Sequence, residues 1–309
     1  MKFKSAIISL LLFLLITVNV SGQELSSKSG VVEISGIKLS YTVEGQGIPC
    51  LVLGSSVYYP RLFSNELRKD FLLYFVDQRF FTADSRQQDL SKFSIDQISD
   101  EIEEMRKALK LEKFVIIGHS IYGNVVIEYA RKYPEHLSHI VAIANPPQYA
   151  SKSYSDALAE FRKTAEPERL EKLEKNWEMK KDSIDKLPPR EKFIATYVTN
   201  GPLYWYDFNF DCSALWKNVP VNIEPLNALF QKAYANYDIS SNSTLIKQPV
   251  LVILGKYDFL VPHFMWDSSK PNIPHLTVKI FNKSGHSPQF EEPALFNQTL
   301  LNWVKGSSR

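Results

Sequence analysis

Residues 114–124 read FVIIGHSIYGN: four apolar residues run without interruption into a serine bracketed by small residues, and a segment with helical periodicity follows. A run such as Phe114 to Ile117 suits a strand buried on both faces. Its abrupt stop at Gly118 predicts a tight strand-to-helix turn that lifts Ser120 out of the sheet with its hydroxyl exposed. Small residues belong beside such a serine, because the strained turn brings strand and helix too close for most side chains. Tyr122 stands where the G-x-S-x-G pattern has its second glycine and Gly123 follows it, so the turn has to hold a bulky ring pointing away from the neighbouring strand. His119 is expected to point across the strand into packing.

Two later strand ends carry what this serine lacks. The run PVLVILG, 249–255, delivers Asp258 just beyond it, and HLTVKIFNKSGHSPQF, 275–290, delivers His286. A serine hydroxyl is a poor nucleophile at neutral pH; it needs a base, and the base needs a carboxylate to fix its tautomer. Ser120, His286 and Asp258 take those catalytic roles. Their order along the chain, Ser then Asp then His, differs from the two common protease orders. The end of the preceding strand offers Asn145 and no acid, which favours Asp258 as the carboxylate.

Around these pieces the chain alternates. VVEISG and KLSYTVEG, on either side of Gly36, read as a β-hairpin. CLVLGSS (50–56) and FLLYFVDQR (71–79) read as buried strands. Between the latter and Phe114, residues Ile95, Ile98, Ile102, Met105 and Leu109 recur at helical spacing behind a candidate N-cap, Ser94. A crossover helix, ending before Pro134, and the strand HIVAIAN follow. Such repeats predict an α/β fold with a mostly parallel, doubly wound sheet and right-handed crossovers. From about 146 to 247 the pattern changes: 156–186 is rich in charge and reads as solvated helix faces, and 204–216 is crowded with aromatics.

With GHSIYGN, VDQR (76–79), GKYDFLVP around Asp258 and GHSPQFEEP around His286, the chain from about 31 to 304 resembles the α/β-hydrolase superfamily. It looks most like the capped enzymes of the prolyl-iminopeptidase-like and carboxylesterase-like branch. The resemblance implies an α/β-hydrolase core over 23–145 and 248–309, with a helical cap, 146–247, between the sixth and seventh strands. It also implies an oxyanion hole from the backbone N–H groups of Ile121 and Ser55. Ser55 holds the donor position in a loop, Leu53 to Ser56, that lacks the His-Gly of the peptidase hallmark. Asp77 and Arg79 are expected to tie loops beneath the site.

Three functions follow from that resemblance. The first is a serine hydrolase cleaving an ester or lactone of a bulky, mainly apolar small-molecule substrate, with Tyr204, Trp205, Tyr206 and Trp216 of the cap as substrate contacts. The second is a prolyl-iminopeptidase-like aminopeptidase, which needs carboxylates such as Asp207, Asp211 or Glu224 to hold a substrate ammonium group. The third is a non-catalytic ligand-binding homologue.

Composition narrows the field. At 309 residues, 44% of them hydrophobic, the chain suffices for one large core with an insertion. Its net charge of +2 and lack of a basic stripe interleaved with aromatics give no grip on nucleic acid. No glycine-rich phosphate loop and no metal-binding histidine spacing occur, and acyl transfer to water needs no cofactor. Lys2 and Lys4 precede an apolar run, 6–20, and then Ser21 and Gly22: a signal peptide over residues 1–22 is expected, and with it a secreted or periplasmic protein without stable membrane insertion after cleavage. Cys50 and Cys212, the two cysteines, are expected to stay unpaired, one at the far end of a strand and the other in the insertion.

Overall fold

The computed structural model describes residues 27–84, 90, 93–149, 151–235, 237–241, 243–269 and 272–307; the expected signal peptide lies outside them. Strands β1 (Ser27–Ile34) and β2 (Ile37–Gly45) form the antiparallel hairpin, turning at Ser35 and Gly36. β3 (Ile48–Gly54) and β4 (Phe71–Asp77) follow, then helix α1 (Ile95–Ala108), β5 (Phe114–His119), α2 (Ile121–Lys132) and β6 (Leu137–Ile143). Ser94 caps α1, its Oγ accepting from the Gln97 N–H at 3.2 Å, and Ile98, Ile102 and Met105 face the core.

Between β6 and β7 stand α3 (Ser151–Thr164), α4 (Pro167–Ile184), α5 (Pro189–Thr199), the short α6 (Gly201–Tyr204) and α7 (Ile223–Ala228). Prolines at the first turn of α4 and α5 start new helices where the chain could otherwise have continued one. The remainder is β7 (Val250–Gly255), α8 (Phe264–Ser269), β8 (Leu276–Phe281), α9 (Pro288–Glu291) and α10 (Pro293–Ser307).

Among the described residues the strands form one sheet in the order β1-β2-β4-β3-β5-β6-β7-β8, parallel from β4 to β8. This is the α/β-hydrolase fold, with a helical cap between its sixth and seventh strands. The central runs are buried on both faces: every residue of β5 and β7 is buried, which is why they read as apolar stretches. Parallel strands also put all carboxyl ends on one side of the sheet. Ser120 after β5, Asp258 after β7 and His286 after β8 therefore emerge on the same edge.

Beneath that edge Asp77 accepts from the N–H of Ser56 (2.7 Å) and of Ser40 (3.2 Å), joining β4 to β2 and to the loop after β3. Burial pushes its carboxyl up to about 6 despite those bonds. Arg79 forms an ion pair with Glu101 of α1, both almost wholly buried. Cys50 and Cys212 are both free and buried.

A buried ion pair costs most when half of it is removed, since the remaining charge is desolvated without a partner. Arg79→Ala is expected to lower unfolding free energy by about 3–5 kcal/mol, measured by urea denaturation, and Arg79→Met with Glu101→Leu to recover most of that loss.

Candidate active site

Ser120 has φ 55° and ψ −126°, a conformation that costs a non-glycine residue about 1–3 kcal/mol. It is held there by its neighbours: its N–H donates to the Ile143 carbonyl of β6 at 2.7 Å, and its carbonyl accepts from the Gly123 N–H at 2.9 Å. Gly123 is the residue pressed on the end of β6, where a Cβ would lie 2.5 Å from that of Asn145. Residue 122 is therefore free to be large. The Tyr122 ring points away from β6, as the sequence requires, but over the end of the other neighbour, β3. There it packs against Tyr59, Phe80 and Phe81. The room comes from Gly54: with φ 132°, a Cβ on it would meet Tyr59 at 2.1 Å and Tyr122 at 3.0 Å.

His286 is bonded through Nδ1 to Asp258 Oδ2 at 2.7 Å, and both side chains are buried. The other carboxylate oxygen, Oδ1, accepts from the N–H groups of Leu260 (3.0 Å) and Val261 (2.8 Å). With Nδ1–H committed to Asp258, Nε2 is left as the basic nitrogen. Ser120 and His286 line one cavity. No hydrogen bond joins their side chains among the described residues; such contacts often tighten only when substrate is bound.

His119 departs from expectation. Instead of packing anonymously it lines the same cavity, its ring 5.0 Å from that of His286. Its Nε2–H donates to the His286 carbonyl at 2.6 Å, which leaves Nδ1 to accept from the Tyr59 hydroxyl at 3.4 Å. Burial, and then the nearby His286, pull its pKa down to about 3, so it is neutral. The alternation of a strand does not foresee this, because the chain is already leaving the strand at the turn.

The cavity has a volume of about 460 Å³. Of the four cap aromatics expected to contact substrate, Tyr204 and Trp216 line it; Trp205 and Tyr206 do not. Trp205 adopts extended backbone at the end of α6, so it faces opposite to Tyr204 and packs on Phe210 and Phe290. Tyr206, partly exposed, lies against Tyr257. Other segments supply the rest of the wall: Trp216 is packed among Tyr58, Phe81, Phe193 and Tyr197, and Tyr149 meets Phe230. These were beyond sequence reasoning because they converge from five distant stretches of chain.

Ile121 lines the cavity at the first turn of α2. Ser55 is fully buried directly after β3, its Oγ accepting from the N–H groups of Val57 (3.2 Å) and Tyr58 (3.1 Å). The carboxylates a substrate ammonium group would need are elsewhere. Asp207 and Asp211 are exposed and accept from nearby backbone N–H groups, of Asn209 and Ser213, and Glu224 is exposed on α7. One residue of the charged run also departs from a solvated face. Arg169 of α4 is buried, donating to the carbonyls of Pro202 (3.0 Å), Trp205 (2.7 Å) and Tyr206 (2.8 Å). The thiol of Cys212 is pushed up to about 11 by burial, and that of Cys50 further still, so neither is poised as a nucleophile.

The sequence model of the family described as alpha/beta hydrolase fold matches residues 48–293, and the chain belongs to that family. It is 34% identical over 278 residues to the AB hydrolase superfamily protein YclE of Bacillus subtilis strain 168, covering 90% of this chain and 99% of the relative. A proline iminopeptidase of Flavobacterium johnsoniae is 27% identical over 233 residues, with 68% of this chain and 76% of the relative covered. A pimeloyl-(acyl-carrier protein) methyl ester esterase of Photobacterium profundum is 26% identical over 211 residues, covering 67% and 78%. Hydrolases of esters and of peptides thus both stand among the relatives.

The pairing of Gly54 with Tyr122 gives a test of the turn. Gly54→Ala forces a methyl group into the two tyrosine rings and is expected to destabilise by about 1–3 kcal/mol, read from the urea midpoint. Combining it with Tyr59→Ala and Tyr122→Ala is expected to relieve the steric share of that loss.

Proposed function

We propose that the protein is a serine hydrolase that cleaves an ester or lactone of a bulky, mainly apolar substrate through an acyl-enzyme. The observation that carries this reading is the cavity wall. Its described residues include Ser120 and His286 but no Asp, Glu, Lys or Arg, and most of the rest are aromatic or aliphatic. A peptidase acting on a free amino terminus has to place an ammonium group beside the scissile bond. In a desolvated pocket without a carboxylate that charge is costly. An uncharged ester with an apolar body meets no such cost.

In the proposed reaction Ser120 Oγ attacks the acyl carbonyl as its proton passes to His286 Nε2, and Asp258 stabilises the imidazolium that results. The developing oxyanion falls to the N–H of Ile121 and that of Ser55. Gly54 supports the second assignment: its carbonyl is bonded to the Gln78 N–H on the β4 side, so strand alternation turns the next N–H toward β5 and the nucleophile. His286 then protonates the departing alcohol, and a water attacking the acyl-enzyme returns a carboxylic acid and free Ser120.

Apolar contact shared by ground and transition state is expected to appear mainly in KM. A panel of p-nitrophenyl esters of short, long and aromatic acids, with proline p-nitroanilide beside them, tests the reading. Ester turnover that vanishes in Ser120→Ala and falls about 10⁴-fold in kcat in Asp258→Asn is expected. Trp216→Ala is expected to raise KM for aromatic esters and leave acetate esters nearly unchanged. Turnover of the proline amide at a rate matching the esters overturns the preference for esters.

The basic and apolar N-terminal pattern supports export as part of the same proposal. Mass spectrometry of the protein recovered outside the cytoplasm is expected to show a chain beginning close to Gln23; recovery of the uncleaved chain in the cytoplasm alone speaks against it.

A further inference from the structure

The backbone N–H groups of residues 285–287, in the loop that carries His286, are all held, one of them by the cap and two by Glu291. The His286 N–H donates to the carbonyl of Tyr204, at the end of α6, at 2.5 Å. The flanking N–H groups, of Gly285 and Ser287, each donate to Glu291 Oε1 at 3.0 Å. The second oxygen of that carboxylate, Oε2, accepts from the Tyr206 N–H at 2.7 Å. Cap and loop also touch directly: a Cβ on Gly285 would lie 2.2 Å from the Tyr204 carbonyl oxygen and 3.0 Å from Trp205 Cα.

We propose that Glu291 is a positioning residue for the base: its carboxylate ties loop 285–287 to cap segment 204–206, so that His286 is in place only while that part of the cap is docked. The inference rests on the hydrolase reading above, in which His286 is the base. Three N–H groups converge on two oxygens, and no neutral side chain of this size offers the same acceptors. A carboxylate is costly to bury, and burial pushes Glu291 up to about 7. The cap end of the tie is itself fixed by Arg169, whose guanidinium holds the carbonyls of Pro202, Trp205 and Tyr206. The path therefore runs from α4 of the cap, through the backbone of 202–206, to Glu291 and the loop bearing the base.

Two variants separate positioning from folding. Glu291→Gln keeps the shape but has a single acceptor oxygen, and turns an NH₂ toward one of the N–H donors. Tyr206→Pro removes the cap-side N–H together with the ring, and the extended backbone of Trp205 before it (φ −116°, ψ 142°) suits a residue preceding proline. Tyr206→Ala serves as its reference, since it loses the ring and keeps the N–H. With p-nitrophenyl butyrate, Glu291→Gln is expected to lower kcat about 10- to 100-fold with KM changed less than about 3-fold. Tyr206→Pro is expected to fall about 10-fold below Tyr206→Ala in kcat. In both, the downfield ¹H resonance of the His286 Nδ1–H bonded to Asp258 is expected to broaden or shift. Unchanged kcat in a protein of lower melting temperature, or a resonance identical to wild type, overturns the proposal. If the wild-type protein shows no Ser120-dependent ester turnover, the function reading fails by itself, and the resonance still decides whether Glu291 positions His286.

Discussion

The closeness of α2 to β5 and β6 is the constraint from which the site follows. Ser120 occupies a backbone conformation that it would leave if its N–H were not bonded to Ile143 and its carbonyl to Gly123. A strand buried on both faces cannot shift to relieve that strain, so the strain stays localised at one residue. Other features are consequences. The tight spot on β6 requires Gly123; the freedom at 122 admits a tyrosine; and the tyrosine requires that β3 end in Gly54. The loop after β3, with Ser55 and Tyr59, is shaped by that exchange of volume.

The two halves of the site are held by different means. Ser120 is fixed by the sheet, through covalent neighbours and core packing. His286 sits on a loop whose backbone bonds go to His119 of the turn, to Tyr204 of the cap and, through its flanking residues, to Glu291. Ser120 therefore inherits the rigidity of the core, whereas His286 depends on the cap as well as on the turn and Glu291. The cap is anchored to the core by a buried arginine, over Tyr257 and Phe259, and by aromatic packing of Trp216 on Tyr58.

How much of this is legible in the sequence depends on whether a feature is local. The fold is, because β3 through β7 are continuous apolar runs, and strands buried on two faces leave that mark. Ser120 and Asp258 are legible as candidates because each follows such a run within a few residues, and His286 because it follows the alternating edge strand β8; parallel strands bring their ends together. The cap wall is not. Adjacent residues Tyr204 and Trp205 are alike in type, yet an extended backbone sends one to the cavity and the other to Phe210 and Phe290. Phe81, Phe193 and Phe230 come from separate elements with no shared spacing. Arg169 sits in a run of charges indistinguishable from its solvated neighbours; the Glu166 carboxylate together with three carbonyls arriving from residues 202–206 makes its burial tolerable. The place of His119 at the cavity is not legible for a related reason, since its partner is a backbone carbonyl 167 residues away.

The apolar wall also matters to the electrostatics of the proposed reaction. As the imidazolium of His286 forms, its interaction with any nearby charge is stronger than in water, because the surroundings screen it less. The nearest titratable ring, that of His119, is kept neutral by burial, so no like charge opposes that step. Asp258 meets the imidazolium directly, while its second oxygen is stabilised by two N–H groups and needs no further cation. Another carboxylate near His286, the half-buried Glu291, has its oxygens committed to three N–H donors, which draw its charge toward the loop backbone. A charged side chain in the cavity wall would enter this balance at low dielectric and bias the protonation state of His286. On this argument the aromatic lining serves the base as well as the substrate: it supplies shape to an apolar ligand and leaves Asp258 as the charge in contact with the imidazole.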